Sequence, residues 1–538
     1  MQPQNLKNTV VFDKEAVDSL LQGAEVVYKA VSSTLGPASK LVAINQPFGN
    51  PTTVGDGVTV AKAIVRYGLE DDNQDTGAKL LVMASEGTNN SVGDGTTTTI
   101  VLAYEIFKTA LTAIENGANA MALRKGINLA VKEVCKYLDS IKVEITNKQL
   151  KQVASISAQN EELGEMIADA FSRLGKNGVI TVEESSGTDI FIEFKEGMEF
   201  DKGYLSNYFV TNPESNEASI VDPYILVTDH KLNSNEQLIG FLQNFVQNVA
   251  PEKKNIVIIC DGAEPICLAT CVAQKLKGVM NILVVQAPGN QDHRVDLLQD
   301  IAVSTGAVFV SKEAKMMLKD VKIEHLGTAD HITASDKTTV IVDGQANEKQ
   351  LQDRVVLLTD RKDHPDTDAF SREKITERLA KLTSGIGIIR VGGLNEAEIS
   401  EMRERAIDAV SATKAGLEDG VIAGGETGLL NAGYQLTNYT NPATDEEIGY
   451  MIVREACKEP FRKLLTNSHL DLELEQKSVG KHGVDVISGE VTDLVKAGIL
   501  DPVKVPKTAL LNASSVANQL LSTSVIIGVK VISKDETD

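Results

Sequence analysis

Gly93-Asp94-Gly95-Thr96-Thr97-Thr98-Thr99 leads straight into an apolar stretch at helical spacing. Threonine is a mediocre helix former, and four in succession at a helix start are costly on propensity alone. The arrangement suits an anion. Glycines let the backbone approach a phosphate, first-turn N–H groups point at it, and hydroxyls add donors. Asp94 repels a phosphate unless a Mg2+ lies between them. The same residues also read as a Thr/Asp helix cap with no ligand, and the motif alone favours that plainer reading.

Further turns bear on the choice. Thr34-Leu35-Gly36-Pro37 closes a helix expected over 14–35 and exposes backbone donors. Gly55-Asp56-Gly57 repeats the Gly-Asp-Gly theme and reads alone as an ordinary turn. Ala423-Gly424-Gly425-Glu426-Thr427 is another glycine-rich helix entry, and Asp408 precedes it on a helix, where a solvated carboxylate is the plain reading. Three separated aspartates and several glycine turns outline a Mg-nucleotide site that spacing cannot assemble. The familiar scaffolds are excluded. No GxxxxGK[ST] occurs, Gly385-Ile386-Gly387 lacks the third glycine of a dinucleotide fingerprint, and no GxSxG or HExxH is present.

The elements that must position these residues fall into two kinds. To about residue 139 long helical patterns dominate, over 14–35, 76–91, 96–115 and 119–139, with extended segments expected over 41–45 and 58–67. Residues 151–174 read as a helix. Strands are expected at 178–183 and 190–194, then at 224–228, 256–260, 282–286, 307–310 and 338–342, alternating with helices over 234–249, 263–277, 292–305 and 368–382. Helices return after 396, and 525–532 is strand-like with no partner nearby in sequence. An α/β layer inserted into a helical domain follows, with Gly197, Gly385 and Gly420 near the transitions as hinges or plain turns.

Composition narrows the function. The 538 residues carry a formal charge of −22, with 13 Phe, 10 Tyr and no Trp. Such a chain is a poor match for nucleic acid, which needs cationic patches and aromatic stacking, and repulsion keeps it off anionic membranes. No stretch approaches the roughly 18 apolar residues of a bilayer span, and residues 1–14 match neither a signal nor a transit peptide. Cys135, Cys260, Cys267, Cys271 and Cys457 are odd in number and form no CxxC pair, so a reduced, cytosolic protein with buried thiols is expected. The length suggests about three domains.

Taken in order, these turns resemble the group I chaperonins, the GroEL-type ATP-driven folding machines. The resemblance runs through TLGP (34–37), GDGVTVAKAI (55–64), GDGTTTT (93–99), SISAQN (155–160), GVITVEE (178–184) and EGMEFDKGYLSNYF (196–209). It continues through LLQDIAVSTGA (297–307), RLAKLTSGIGIIRVGG (378–393), DAVSATKAGLEDGVIAGGE (408–426) and ILDPVKV (499–505). It implies a multidomain α and α/β fold. An equatorial ATP-binding domain would span 1–139 and 419–538, an intermediate hinge domain 140–195 and 386–418, and an apical α/β domain 196–385. It also implies heptameric rings, single or double, that bind non-native client proteins and hydrolyse ATP with Mg2+, allowing K+ and a co-chaperonin lid.

Carried over by position, Leu35, Gly36 and Pro37 would line the nucleotide, and Asp94 would ligate Mg2+. Gly95, Thr96, Thr97 and Thr98 would bind phosphate oxygens. Asp56 and Asp408 would flank the γ-phosphate, with Asp408 orienting the attacking water, while Ser157, Gly425 and Asp501 would surround base and ribose. Since Asp408 maps to the intermediate domain, turnover would depend on that domain closing. Client and lid contacts would fall on Tyr204, Ser206, Tyr208, Phe209, Ile239, Leu242, Leu268, Val272 and Ala273. Residue type alone reads the apolar ones as core. Leu268 and Val272 share one helix face, as do Leu238 and Leu242.

The chain also departs from the family pattern. Gly55 replaces a lysine before the first catalytic aspartate, Glu426 replaces the third glycine, Asp485-Val486-Ile487 replaces an Asn-Ala-Ala segment, and the Gly-Gly-Met tail is missing. These mark a divergent member, with a bacteriophage as one source and a host cytoplasm as its location. Gly55 and Glu426 favour an alternative, a nucleotide-binding holdase ring with little turnover. A metabolic enzyme using ATP on a small molecule is a second rival, which predicts a monomer or dimer.

Overall fold

The computed structural model describes residues 6–45, 51–175, 178–185, 187–213, 216–364, 369–383, 385–437 and 442–531. The chain divides into two compact units. One takes in 1–172, 182–191 and 390–538, and the other 173–181 and 192–389.

The first unit is helical. Asp13–Ser32, Asp72–Val92, Thr96–Glu115, Ala120–Ile141, Asp445–Ala456 and Lys504–Leu520 share one core. Helices Asp13–Ser32 and Asp72–Val92 approach closely because each offers a glycine. A Cβ on Gly23 would lie 1.7 Å from the carbonyl oxygen of Gln74, and one on Gly77 would lie 2.2 Å from that of Leu20. Chain ends meet here too. Leu6–Phe12 pairs antiparallel with Val525–Val531, from Leu6 opposite Val531 to Phe12 opposite Val525. The distant partner missing from the sequence reading is therefore the amino-terminal segment, whose mixed polarity hid its strand; Ile532 lies outside the described residues.

The second unit is a mixed sheet covered by helices. Tyr224–Val227, Asn255–Cys260 and Asn281–Gln286 run parallel, as alternation with helices Asn235–Asn248 and Pro265–Leu276 requires. Gly327–Ala334 then joins antiparallel, followed by Thr339–Gly344 and Gly197–Phe200. Cys260, Cys267 and Cys271 are buried in this core, and all five cysteines are free.

Three sequence expectations need correction. Residues 58–67 are not extended. Gly57–Tyr67 is a helix, started by Asp56, whose carboxylate accepts the N–H groups of Val58 and Thr59 at 3.3 and 2.8 Å. Residues 151–174 form two helices, Asn147–Ala158 and Glu161–Leu174, broken at Gln159, which has φ +50°. The expected strand at 307–310 is reduced to a single bridge between Val310 and Thr228. Strands at Gly197–Phe200, Ala218–Val221 and Gly327–Ala334 and the helix Glu348–Asp363 were not anticipated.

Candidate functional site

The first unit brings Asp56, Asp94, Asp408, Gly425 and Asp501 into one neighbourhood from five separate stretches of chain. Asp94 sits in the turn between helices Asp72–Val92 and Thr96–Glu115. That turn needs Gly93 and Gly95, with φ of +68° and +78°, in the left-handed region. A Cβ on Gly93 would come within 2.3 Å of Ser411 Oγ, so this glycine also lets helix Glu396–Asp419, which carries Asp408, pack onto the turn. Asp94 turns back on its own loop and accepts the Gly95 N–H at 2.6 Å.

Helix Thr96–Glu115 starts at Gly95 without a side-chain cap. The first-turn N–H groups of Thr96, Thr97 and Thr98 therefore have no partner within the helix. All three threonines are buried. The Thr97 hydroxyl lies 3.3 Å from that of Thr34, which ties the Thr34–Pro37 turn to this helix start. Asn467 holds the same turn by donating to the carbonyls of Ser32 and Leu35, both at 2.9 Å. Gly36 adopts φ +88°, and Pro37 is exposed. Gly57 keeps Thr97 accessible, since a Cβ there would fall 2.1 Å from its Oγ1.

Burial and mutual repulsion dominate the electrostatics. Asp408 is raised well above the ordinary carboxylate range, first by desolvation and then by the charges of Asp56, Asp94 and Glu404. Asp94 is raised by desolvation and by Asp56, although the Gly95 N–H opposes the shift. Asp501 sits opposite Ile422 in the pairing of Leu500–Pro502 with Val421–Ala423. Burial pushes it up to about 7, with Asp94 adding, against the stabilising N–H groups of Glu426 and Gly425. Concentrated negative charge of this kind is costly unless a cation offsets it.

Glu404 was missed by the sequence reading. It stands one helical turn before Asp408, a spacing that places both on one face, and it accepts the Thr59 hydroxyl at 3.3 Å. Ser157 lies on helix Asn147–Ala158, which packs along helix Glu396–Asp419 and against strand Leu500–Pro502, the strand that carries Asp501.

A Mg-nucleotide fits these residues on two grounds. The uncapped, threonine-lined helix start supplies donors for phosphate, and carboxylates lie beside it to engage a cation. Among the described residues no three His, Cys, Asp or Glu side chains converge as a cage for an ion.

Glu426, which replaces the third glycine of the family pattern, reaches into this region. Thr98 Oγ1 donates to Glu426 Oε1 at 2.5 Å. Burial, followed by Asp501, raises its carboxyl from 4.5 to about 8. An acid raised in the folded state binds more protons folded than unfolded, so stability falls as pH rises through that window. Without ligand, Glu426→Gln is expected to be more stable than the parent at pH 8 by on the order of 2 kcal/mol, an advantage that disappears near pH 4.5. Thermal unfolding of both proteins across that range checks it.

In the second unit the expected client-binding residues divide by burial. Tyr204, Phe209 and Leu242 are core residues, Phe209 with no exposed surface at all, so their side chains are not presented to a client here. Leu238, on the face of Leu242, is buried with it. Leu268 and Val272 pack at the core margin, and Ala273 and Ser206 are half-buried, Ser206 accepting the Tyr208 N–H at 3.4 Å. Tyr208 is 73% exposed and Ile239 is exposed. Ile266 and Leu276, which were not singled out, are exposed on the same helix as Leu268. Their signal was available, because they lie off the face set by the buried Cys267 and Cys271.

Comparison with known proteins agrees with this architecture. The chain is similar in fold to chaperonin gp146 from bacteriophage EL 2 (Pseudomonas aeruginosa), crystallised in the presence of ATP-BeFx. In one crystal form the two share 21% identity over 98% of this chain and 99% of that one, with a TM-score of 0.69. In a second form the identity is 21% over 96% and 98%, with a TM-score of 0.61. No described helix is long and apolar enough to cross a membrane. The model of the TCP-1/cpn60 chaperonin family matches residues 27–531, and the chain belongs to that family as a divergent member.

Proposed function

We propose that this chaperonin is an ATP-hydrolysing folding machine. The observation that carries the reading is the uncapped start of helix Thr96–Glu115, with Asp94 in its entry turn and the charges of Asp56 and Asp408 bearing on the same place. Thr96, Thr97 and Thr98 donate N–H and hydroxyl groups to phosphate oxygens, and Asp94 holds Mg2+, which offsets the charge of phosphates and carboxylates when bound. Leu35 and Gly36 line the nucleotide, with Gly425 and Asp501 near base and ribose. Asp408, made more basic by burial and then by its acidic neighbours, orients the attacking water and accepts its proton.

The gp146 crystals grown with ATP-BeFx support nucleotide binding by this fold. Assembly into rings, a co-chaperonin lid, non-native clients, K+ and a cytoplasmic location belong to the same proposal. So do the three domains at 1–139 with 419–538, 140–195 with 386–418, and 196–385. Clients would meet Tyr208, Ile239, Ile266 and Leu276 rather than the buried positions.

A second reading, a holdase that binds nucleotide with little turnover, is favoured by the Glu426 carboxyl on Thr98. Steady-state phosphate release with Mg2+ and with a chelator separates the two, measured beside suppression of aggregation of a denatured protein. Mg-dependent turnover with suppression supports the folding machine. Suppression without turnover establishes the holdase, and loss of both overturns the chaperonin role.

A further inference from the structure

The phosphate end of the site contains a carboxyl group that the functional reading leaves without a role. Glu426 occupies the N-cap position of helix Thr427–Gln435 with φ +61°, a left-handed conformation unfavourable for a side chain of its kind. It makes no side-chain cap to that helix. Its N–H and that of Gly425 instead face the Asp501 carboxyl, while the side chain crosses to the other helix and accepts the Thr98 hydroxyl at 2.5 Å. The strained backbone and the crossing side chain act together. They hold an oxygen acceptor at a helix start whose N–H groups no side chain caps.

A carboxylate and a phosphate oxygen make the same demands on such a place: hydroxyl and N–H donors, and a positive helix end. The Glu426 oxygen and a phosphate oxygen cannot both occupy it, because each needs the single Thr98 hydroxyl proton.

We infer that Glu426 is a resident competitor for nucleotide, held on the Thr98 hydroxyl so that a triphosphate binds only when the side chain is displaced. The inference rests on the nucleotide-site reading above and adds to it a residue that sets affinity. Nucleotide affinity is lowered by the free energy of breaking the Thr98–Glu426 contact, and a bound nucleotide drives Glu426 out of the first turn.

Equilibrium binding of a fluorescent ATP analogue with Mg2+ to the full chain tests this. The proteins needed are the wild type, Glu426→Gly, Glu426→Gln, Thr98→Val and the double variant Glu426→Gly with Thr98→Val. Glycine suits the φ of +61° and removes the competitor, so Glu426→Gly is expected to bind about tenfold tighter. Glu426→Gln keeps the volume and an acceptor oxygen for Thr98 and falls between. Thr98→Val is expected to weaken binding more in Glu426→Gly, where the hydroxyl is free for phosphate, than in the wild type, where it is already engaged. That non-additivity is a signature that general loosening of the fold does not produce.

Wild-type binding with no gain in Glu426→Gly, or with additive effects of the two substitutions, overturns the competitor role and leaves the nucleotide site intact. Absence of binding by every variant, each shown folded by its melting curve, overturns the nucleotide site and the competitor with it.

Discussion

Asp408→Ala is expected to lower steady-state phosphate release by about 10²–10⁴-fold, the range typical of a positioned general base. Nucleotide binding should persist or tighten. Burial first, and then the charges of Asp56, Asp94 and Glu404 around it, hold the Asp408 carboxyl well above the ordinary range. Removing it relieves that repulsion, so the site loses the group that handles water while becoming less hostile to a polyphosphate. The expected pattern is therefore a fall in kcat with KM unchanged or lower. Equal rates for wild type and Asp408→Ala would sink the assigned role.

Asp408→Asn adds a further discrimination. Asparagine keeps the volume and can still orient a water molecule through its carbonyl oxygen, although it cannot accept the proton. If Asp408 only orients the water, Asn retains much of the rate. If it also accepts the proton, Asn falls with Ala. The raised carboxyl makes proton acceptance the expected outcome, because a more basic carboxylate is the better acceptor near neutral pH.

The contrast between Asp94 and Glu426 shows which parts of the site the sequence could reveal. Asp94 lies within a contiguous motif whose glycines and threonines each have a local physical reason, so the helix start was legible from residues 93–99 alone, whereas its lack of a side-chain cap was not, since the motif by itself favours a Thr/Asp cap. Asp56, Asp408 and Asp501 come from remote stretches, and only the family resemblance grouped them before the fold did. Glu426 was visible as an anomaly, but its partner Thr98 is 328 positions away, and no local pattern encodes such a contact.

A similar divide runs through the elements. Helices with a clear apolar stripe and strands rich in Val and Ile were legible. Gly57–Tyr67 was misread because β-branched residues in VTVAKAIV mimic a strand, and the Asp56 cap decides otherwise. Leu6–Phe12 is a strand only because Val525–Val531 comes to meet it from the far end of the chain. The apolar candidates of the second unit show the same limit. Residue type says that Phe209 and Tyr208 are both apolar and aromatic. Only the fold places the first in the core and leaves the second 73% exposed.

The largest stability effect is expected from Arg378→Met in the second unit. Asp300 is 2% exposed at the junction of helices Gln291–Thr305, Glu348–Asp363 and Ala369–Thr383. Arg378 grips it with two bonds, Nε to Oδ2 at 2.7 Å and Nη2 to Oδ1 at 3.0 Å, and reaches Asp296 Oδ2 through Nη1 at 2.9 Å. Arg354 adds Nε to Asp300 Oδ1 at 2.8 Å. Removing Arg378 leaves a buried carboxylate with one of these three donors, and breaking a buried pair from one side typically costs about 3–5 kcal/mol. Arg378→Lys should recover only part of the loss, since an ammonium cannot span both oxygens of Asp300. Pairing Arg378→Met with Asp300→Leu should recover most of it, because no uncompensated charge remains and Arg354 keeps the Asp296 carbonyl at 3.2 Å. Hydrogen exchange resolved to the three helices checks the prediction. Early opening in Arg378→Met and near-normal protection in the double variant are expected, whereas equal protection in all the proteins would mean that the network adds nothing to stability. The consequence for function is direct, because helix Ala369–Thr383 precedes strand Ile386–Val391, where the chain leaves the second unit for the first. A loosened network would free the end of that return segment, and under the proposed function any effect of ATP on client affinity should then weaken even with the nucleotide residues untouched.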